Sequence, residues 1–171
     1  MIDFVTLRNY IRKGLQAYLR NEDGYEEILV VQFNPDAPEP PKPYLTMNFT
    51  SPFIPGGVEI EEVANKGDDV QYTRYSNDTM SSSWNVYSDD IDEAHKIALM
   101  AQRWFIYDGR DYLKGKDIVV VEWTGIQNRD IFVVDAWERR LGFDTIFRVL
   151  SKIEKTVSTI ETVDIKECED E

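Results

Sequence analysis

Hydrophobic residues recur at helical spacing near the beginning of the chain. Steps of three and four residues place them on one face of a helix, and Asp3 stands where a helix N-cap is expected. The apolar positions are Phe4, Leu7, Ile11, Leu15 and Tyr18. Residues 21–24, which include a glycine, are predicted to end this helix.

A second helix is predicted to begin within the acidic stretch 88–93. Asp90 and Glu93 have the spacing of a capping box, and acidic side chains interact favourably with the positive end of a helix dipole. The apolar residues that follow at helical period are Ile91, Ala94, Ala98, Ala101 and Phe105. Gly109 is predicted to close the helix, and Tyr112 and Leu113 are predicted to lie in a further short helical turn.

Short runs of alternating or β-branched residues predict a set of strands. In residues 44–49 the alternation places Leu45, Met47 and Phe49 on one face. The other predicted strands are residues 28–33, 58–63, 70–75, 80–87, 118–123 and 131–134. Residues 58–63 and 70–75 are predicted to be the arms of a hairpin joined by 64–68, and residues 51–57 a turn or a protruding loop.

Residues 34–43 contain five prolines. This density excludes a helix or a central strand and favours an extended connection. A rigid loop is the favoured interpretation because a strand begins immediately afterwards, and a proline-rich ligand of another protein is the alternative.

The final third of the chain predicts one strand far longer than the usual five or six residues. One face carries Phe143, Thr145, Phe147, Val149, Ser151, Ile153 and Val157. The other carries Asp144, Arg148, Lys152, Glu154 and Thr156, with Ile146 and Leu150 between them. Beyond Ser158 the alternation loses its phase, which predicts a bulge or bend within 158–162. A strand of this length spans a sheet and reaches past it towards a neighbour.

This order of elements predicts an α+β fold with a mostly antiparallel β-sheet, two helices packed on one face and a long C-terminal strand. Residues 1–165 are predicted to form a single domain, followed by an acidic tail at 166–171. The 171 residues are enough for one hydrophobic core.

The charge balance limits the possible partners. The chain has 19 basic and 32 acidic residues, a net charge of −13, which argues against a surface that grips phosphates. Cys168 is the sole cysteine and lies among acidic residues, which disfavour its thiolate. No apolar run approaches the ~18 residues of a membrane span, and the first residues lack the pattern of a signal peptide. We expect a protein made and used in a cytoplasm, or in a particle assembled there.

Candidate chemistry is sparse. His95 is the only histidine, and no nucleophile elbow, phosphate-binding loop or dinucleotide-binding pattern is present. Asp89, Asp90 and Glu93 allow a magnesium-dependent nuclease, but the start of a helix explains the same residues. We therefore predict no enzymatic activity, no metal site and no cofactor.

Glu138, Arg139 and Arg140 form a charged cluster at the head of the long strand. Adjacent residues of a strand point to opposite faces, so at least one arginine faces a partner or an internal carboxylate. The alternatives are a salt bridge within the chain to Glu138 or Asp144, and a charge contact between subunits, for which the planar guanidinium group is well suited.

Three stretches together resemble the neck and tail-completion proteins of tailed bacteriophages, above all the neck or tail-terminator group. They are the Pro-Tyr-Leu-Thr strand that follows the proline-rich loop within residues 38–49, the Arg-x-Gly-Phe-Asp turn into the long strand, and Ile-Glu-Thr-Val at 160–163. Each is short, but their order and spacing match that group over most of the chain.

The resemblance implies helices packed on an antiparallel sheet, a hexameric ring that caps the tail tube, and no catalysis. It implies a virion protein, assembled in the host cytoplasm, whose partners are further copies of itself, the tail tube protein and a head-completion or connector protein. A sheath protein is a further candidate partner. DNA is expected to pass the lumen without specific binding, and no membrane is involved. The alternative within this group is a head–tail connector or another neck component.

The residues predicted to contact another subunit or a partner come from three parts of the chain. The head of the long strand contributes Arg139, Arg140, Phe143 and Asp144, the end of the chain contributes Ile160, Val163 and Ile165, and the loop at 51–57 contributes Phe53 and Ile54.

Overall fold

The helices and strands follow most of these patterns. The computed structural model describes residues 3–67, 69–133 and 135–158. The helices are α1 (Phe4–Arg20), α2 (Ile91–Arg103) and α3 (Arg110–Lys114), with a π-helical turn at Trp104–Asp108 between the last two. The strands are β1 (Leu29–Gln32), β2 (Tyr44–Ile54), β3 (Val58–Lys66), β4 (Asp69–Tyr87), β5 (Ile118–Trp123), β6 (Gln127–Asn128), β7 (Ile131–Val133), β8 (Ala136–Glu138) and β9 (Arg140–Ser158).

Seven strands form the main sheet, with the order β1-β2-β4-β9-β5 along its body. In addition, β3 pairs with β4 and β6 pairs with β9. Strands β1 and β2 are parallel, and the other pairs in this sheet are antiparallel. The α+β fold with a mostly antiparallel sheet and a long C-terminal strand is therefore confirmed.

Helix α1 begins as predicted. The Asp3 carboxylate accepts hydrogen bonds from the backbone N–H groups of Val5 and Thr6, at 3.0 and 3.2 Å. The buried face is Leu7, Ile11, Leu15 and Leu19. Leu19 therefore takes the core position predicted for Tyr18, which is only half-buried.

The core lies between the helices and one face of the sheet. Phe105 is at its centre, with ring centroids 4.8 Å from Trp84, 6.0 Å from Phe143 and 5.8 Å from Phe147. The small residues Ala94, Ala98 and Ala101 are fully buried on α2, which allows the helix to approach the sheet closely. The apolar faces predicted for α2 and for residues 44–49 and 80–87 are thus broadly confirmed.

Side chains of α1 close the outer edge of β1. Arg12 Nη1 donates to the carbonyl oxygen of Val30, and Gln16 Oε1 accepts from the N–H of the same residue, at 3.3 and 3.0 Å. One turn further on, Arg20 Nε donates to the carbonyl of Ile28 at 3.0 Å. A polar stripe at four-residue spacing thus takes the place of a neighbouring strand, which is one way to prevent pairing at an exposed edge.

The second half of the predicted hairpin and the next predicted strand are one element. Residues 70–75 and 80–87 both belong to β4, which has 19 residues. The intervening Asp78, a residue that usually interrupts strands, is buried and accepts hydrogen bonds from the Gly56 N–H and the Ser76 hydroxyl. The polar side chain is satisfied inside the protein, so the strand continues through it.

Strand β9 pairs with β4 along its whole length, from Tyr87 opposite Arg140 to Asp69 opposite Ser158. The predicted core face is correct up to Ser151, which is buried. Ile153 and Val157 were predicted on the same face, but they are 53% and 40% exposed because this part of the strand extends beyond the core. The predicted bend at 158–162 and the tail at 166–171 lie outside the described residues, apart from Ser158.

Two smaller differences concern loops. Strand β2 continues to Ile54, so most of the region predicted as a turn at 51–57 is strand. Residues 131–134 were predicted as a strand, and β7 does form there, but it pairs with β8 in a separate hairpin rather than with the main sheet.

Candidate assembly surfaces

Strands β3, β4 and β9 continue beyond the core as a three-stranded extension, which we call the arm. It consists of β3, residues 69–76 of β4 and residues 151–158 of β9. Within it, β4 is the middle strand, paired with β3 on one side and with β9 on the other. The arm follows from the length of β4 and β9, each of which has 19 residues.

One face of the arm is the continuation of the face that packs on the helices. The β4–β9 pairing has no register shift, so residues an even number of positions from Trp84 share its side of the sheet. In the arm this side carries Arg74, which is opposite Ile153, and Lys155, which is opposite Tyr72. Its apolar residues are Val70 and Tyr72 of β4, Ile153 and Val157 of β9, and Val63 of β3. We call these five residues the apolar arm face.

The apolar arm face is open to solvent. Val63 is 60% exposed and Tyr72 38% exposed, and Val70 is half-buried. With Glu61, Arg74 and Lys155, three members of this face line a groove of about 420 Å³. Neighbouring apolar side chains on a strand face that is covered elsewhere by helices indicate a surface that another protein covers.

The opposite face of the arm is mainly polar, and Ile60 is its exposed apolar residue. Lys152 Nζ lies 2.7 Å from Glu154 Oε1, and this hydrogen-bonded ion pair lowers the pKa of the Glu154 carboxyl and raises that of the Lys152 ammonium. The two faces therefore differ in chemistry, which gives the arm a defined orientation for packing.

Asp144 pairs with Arg129, a residue that the sequence did not suggest, and not with an arginine at the head of β9. Arg129 Nη2 lies 2.9 Å from Asp144 Oδ2, and Arg129 Nη1 donates to the Ser83 hydroxyl at 2.7 Å. Arg129 thus ties the loop before β7 to the sheet face opposite the helices. An isolated arginine in a loop has no periodic signal that could have pointed to this role.

The two arginines at the head of β9 have different environments. Arg140 is half-buried: its backbone N–H donates to Asp130 Oδ1 at 2.7 Å, and its Nε donates to the carbonyl oxygen of Arg129. Its role in this structure is to hold the Arg129 loop rather than to pair with Glu138 or Asp144. Arg139 is exposed and remains a candidate for a contact between subunits.

Phe143 was predicted to contact a partner, but it is fully buried beside Phe105 and offers no surface. Phe53 and Ile54, at the end of β2, are 49% and 46% exposed, so they are available for contacts. Ile160, Val163 and Ile165 lie outside the described residues.

The β7–β8 hairpin presents an aromatic pair that the sequence did not suggest. Phe132 and Trp137 are directly opposite each other, with ring centroids 5.4 Å apart, and they are 60% and 66% exposed. Exposed aromatic residues are enriched at the energetic centres of interfaces. This hairpin is therefore a second candidate contact surface.

The acidic residues at the start of α2 are used within the chain. Asp90 Oδ1 accepts from the Asp92 N–H at 2.9 Å, and Asp89 pairs with Lys42 at 3.1 Å. Glu93 accepts from the Ser88 hydroxyl instead of completing the predicted capping box with Asp90. Over the described ranges, no group of three or more His, Cys, Asp or Glu side chains is placed to hold a metal ion.

No helix in the described part of the chain has the length and apolarity needed to cross a bilayer. A comparison with curated proteins finds no match. Residues 9–171 match the model of a family described as phage neck terminator protein. That match covers almost the whole chain and agrees with the fold expected from the resemblance. The chain belongs to the phage neck terminator protein family.

Proposed function

We propose that this protein is a structural, non-enzymatic virion component that forms a ring at the head-proximal end of the phage tail. Membership of the neck terminator family supports the location in the neck. In this proposal six copies close the ring, one side caps the tail tube, and the other meets a head-completion or connector protein. The ring is assembled in the host cytoplasm, and DNA passes through it without specific binding.

The observation that carries the proposal is the arm. In a monomer, the two 19-residue strands extend past the core and leave Val63, Tyr72 and Ile153 exposed to solvent, where they add nothing to the core. Burial of apolar surface is the main favourable term in protein association, so these side chains are suited to contact another subunit. Arg139, Asp144, Phe53 and Ile54 are proposed as further contact residues, as are Ile160, Val163 and Ile165 beyond the described part.

The net charge of −13 supports the proposed DNA path. A surface of the same sign as the phosphate backbone does not retain DNA electrostatically. A ring of this composition would therefore allow DNA to pass during packaging and ejection without binding it.

Electron microscopy of particles that lack this protein tests the assignment. Tails of uncontrolled length indicate a terminator, and normal tails that fail to join heads indicate the alternative, a head–tail connector. Supplying the intact protein from a plasmid is the control, and it should restore normal particles. Complete, infectious particles in the absence of the protein would contradict both assignments.

A further inference from the structure

The arm has two strand edges without a partner among the described residues. On one side, β3 pairs only with β4, so the outer edge of Val58–Lys66 is open. On the other side, β5 pairs with β9 only as far as Val149, and no described strand pairs with the outer edge of residues 151–158. Unpaired strand edges present rows of N–H and C=O groups that readily pair with another strand.

These edges contrast with the edge of β1. There, Arg12, Gln16 and Arg20 of α1 satisfy the outward-facing backbone groups. The arm has no equivalent protection in the part of the chain that the structure describes. A fold that protects the β1 edge and leaves both sides of one extension without a paired strand is suited to pair strands at that extension.

The two open edges match each other in length and direction. Strand β3 has nine residues, and the open part of β9 spans residues 151–158. Both strands run antiparallel to β4, so they run parallel to each other. In a ring whose axis runs along these strands, rotation from one copy to the next leaves the strand direction unchanged, so the β3 edge of one copy would meet the β9 edge of the next in a parallel pair.

We propose that the outer edge of β3 pairs in parallel with the outer edge of residues 151–158 of β9 in a second copy of this chain. The inference rests on the proposed ring and adds the contact that closes it. One register is favoured by chemistry, with Val63 beside Ile153 and Glu62 beside Lys152. It places an apolar pair on the apolar arm face and opposite charges on the polar face, both of which stabilise neighbouring strands.

Disulfide cross-linking tests this pairing in the full-length chain. In a Cys168→Ser background, one chain carries Val63→Cys and another carries Ile153→Cys, so that a bond can form only between copies. Within one copy the two positions are separated by β4, about two strand spacings or ~10 Å, which exceeds the ~7 Å limit for a disulfide. A chain carrying both substitutions should form a covalent ladder, because each copy then joins two neighbours.

The matched control replaces Ile153→Cys with Val119→Cys on β5, an exposed position on a different edge of the sheet. It should give no ladder in the same assemblies. Lys155→Cys and Val157→Cys test the neighbouring registers. As an independent measurement, hydrogen exchange of the amides in 58–66 and 151–158 should slow by roughly tenfold or more on assembly.

The outcomes separate the inference from the proposed function. A ladder from any of the three β9 positions, with slowed exchange, supports the strand pairing. Assemblies of the expected mass, formed in solution or on isolated tails, that show no cross-link and unchanged exchange would overturn the pairing and leave the ring in place. Failure to assemble either alone or on tails would overturn both.

Discussion

At the residue scale, Gly142 shows how closely β9 approaches its neighbours. A Cβ atom added at this position would lie 2.5 Å from Asn85 Oδ1 and 2.7 Å from both the Arg129 Cδ atom and the Trp84 carbonyl oxygen. Such distances require backbone or side-chain displacement. The glycine is therefore needed for the contact between β4, β9 and the Arg129 loop.

Gly142→Ala should lower the free energy of unfolding by about 1–3 kcal/mol, the usual range for overpacking a well-packed site. Urea denaturation would measure the change. Gly125→Ala is the matched control, because a Cβ added there has no atom within 4 Å. Equal stability of the two variants would contradict the proposed steric requirement.

Two buried threonines provide a second test. Thr145 Oγ1 accepts a hydrogen bond from Trp84 Nε1 at 2.9 Å and is 3.0 Å from the Ser82 hydroxyl, so Thr145→Val leaves a buried N–H without its partner. We expect a loss of about 1–3 kcal/mol in thermal or urea unfolding. Thr46 Oγ1 is buried and has no hydrogen-bond partner among the described residues, so Thr46→Val should be neutral or stabilising. A larger loss for Thr46→Val than for Thr145→Val would refute this explanation.

Some residue roles could be predicted from the sequence and others could not. The alternation in β9 placed Phe147 and Thr145 on the core face, because side-chain direction in a strand follows from position alone. The role of Arg129 depends on Asp144, 15 residues away, and on Ser83, 46 residues away. Contacts of this kind arise only when the chain has folded, and no local pattern indicates them.

At the element scale, the length of β4 decides the shape of the molecule. Residues 76–79 separated the predicted strands 70–75 and 80–87, and they include Asn77 and Asp78, residue types that are unfavourable in strands. In the structure, the Gly56 N–H and the Ser76 hydroxyl satisfy Asp78, and all four residues of the segment remain paired with β9. The length of β9 was predictable from its own alternation, but the arm also requires β4, and its continuity depends on this buried contact.

The faces of the arm predict different effects of an added charge. Val157→Asp on the apolar arm face should weaken self-association by about tenfold or more, because the carboxylate would lose solvent on contact with a partner. Unfolding of the separated subunit should change by no more than about 0.5 kcal/mol, since the site is exposed. Sedimentation or mass photometry across a dilution series would measure the association.

Thr156→Asp is the matched control on the polar face of the arm. Thr156 immediately precedes Val157 in the chain and is also exposed. The substitution Thr156→Asp should reduce association much less than Val157→Asp does. If both substitutions weakened association equally, the apolar arm face would not be the contact surface, and a general charge effect would explain the result.

At the scale of the whole molecule, the net charge of −13 opposes assembly of identical copies. Each copy added to a ring brings the same negative charge close to that of its neighbours, and this repulsion is screened by salt, with a Debye length of about 10 Å at 0.1 M and about 3 Å at 1 M. Contacts made mainly by Val63, Tyr72, Ile153 and Val157 do not lose strength on screening. Self-association should therefore become tighter as sodium chloride is raised from about 0.05 to 0.5 M, and light scattering at fixed protein concentration would show the mass increasing.

The opposite trend would mean that charge contacts such as those proposed for Arg139 dominate the association, and Arg139→Glu would then remove most of its salt dependence. If the trend is as expected, Arg139→Glu should weaken the association less than Val157→Asp does, and the apolar arm face is the main surface that holds the ring together.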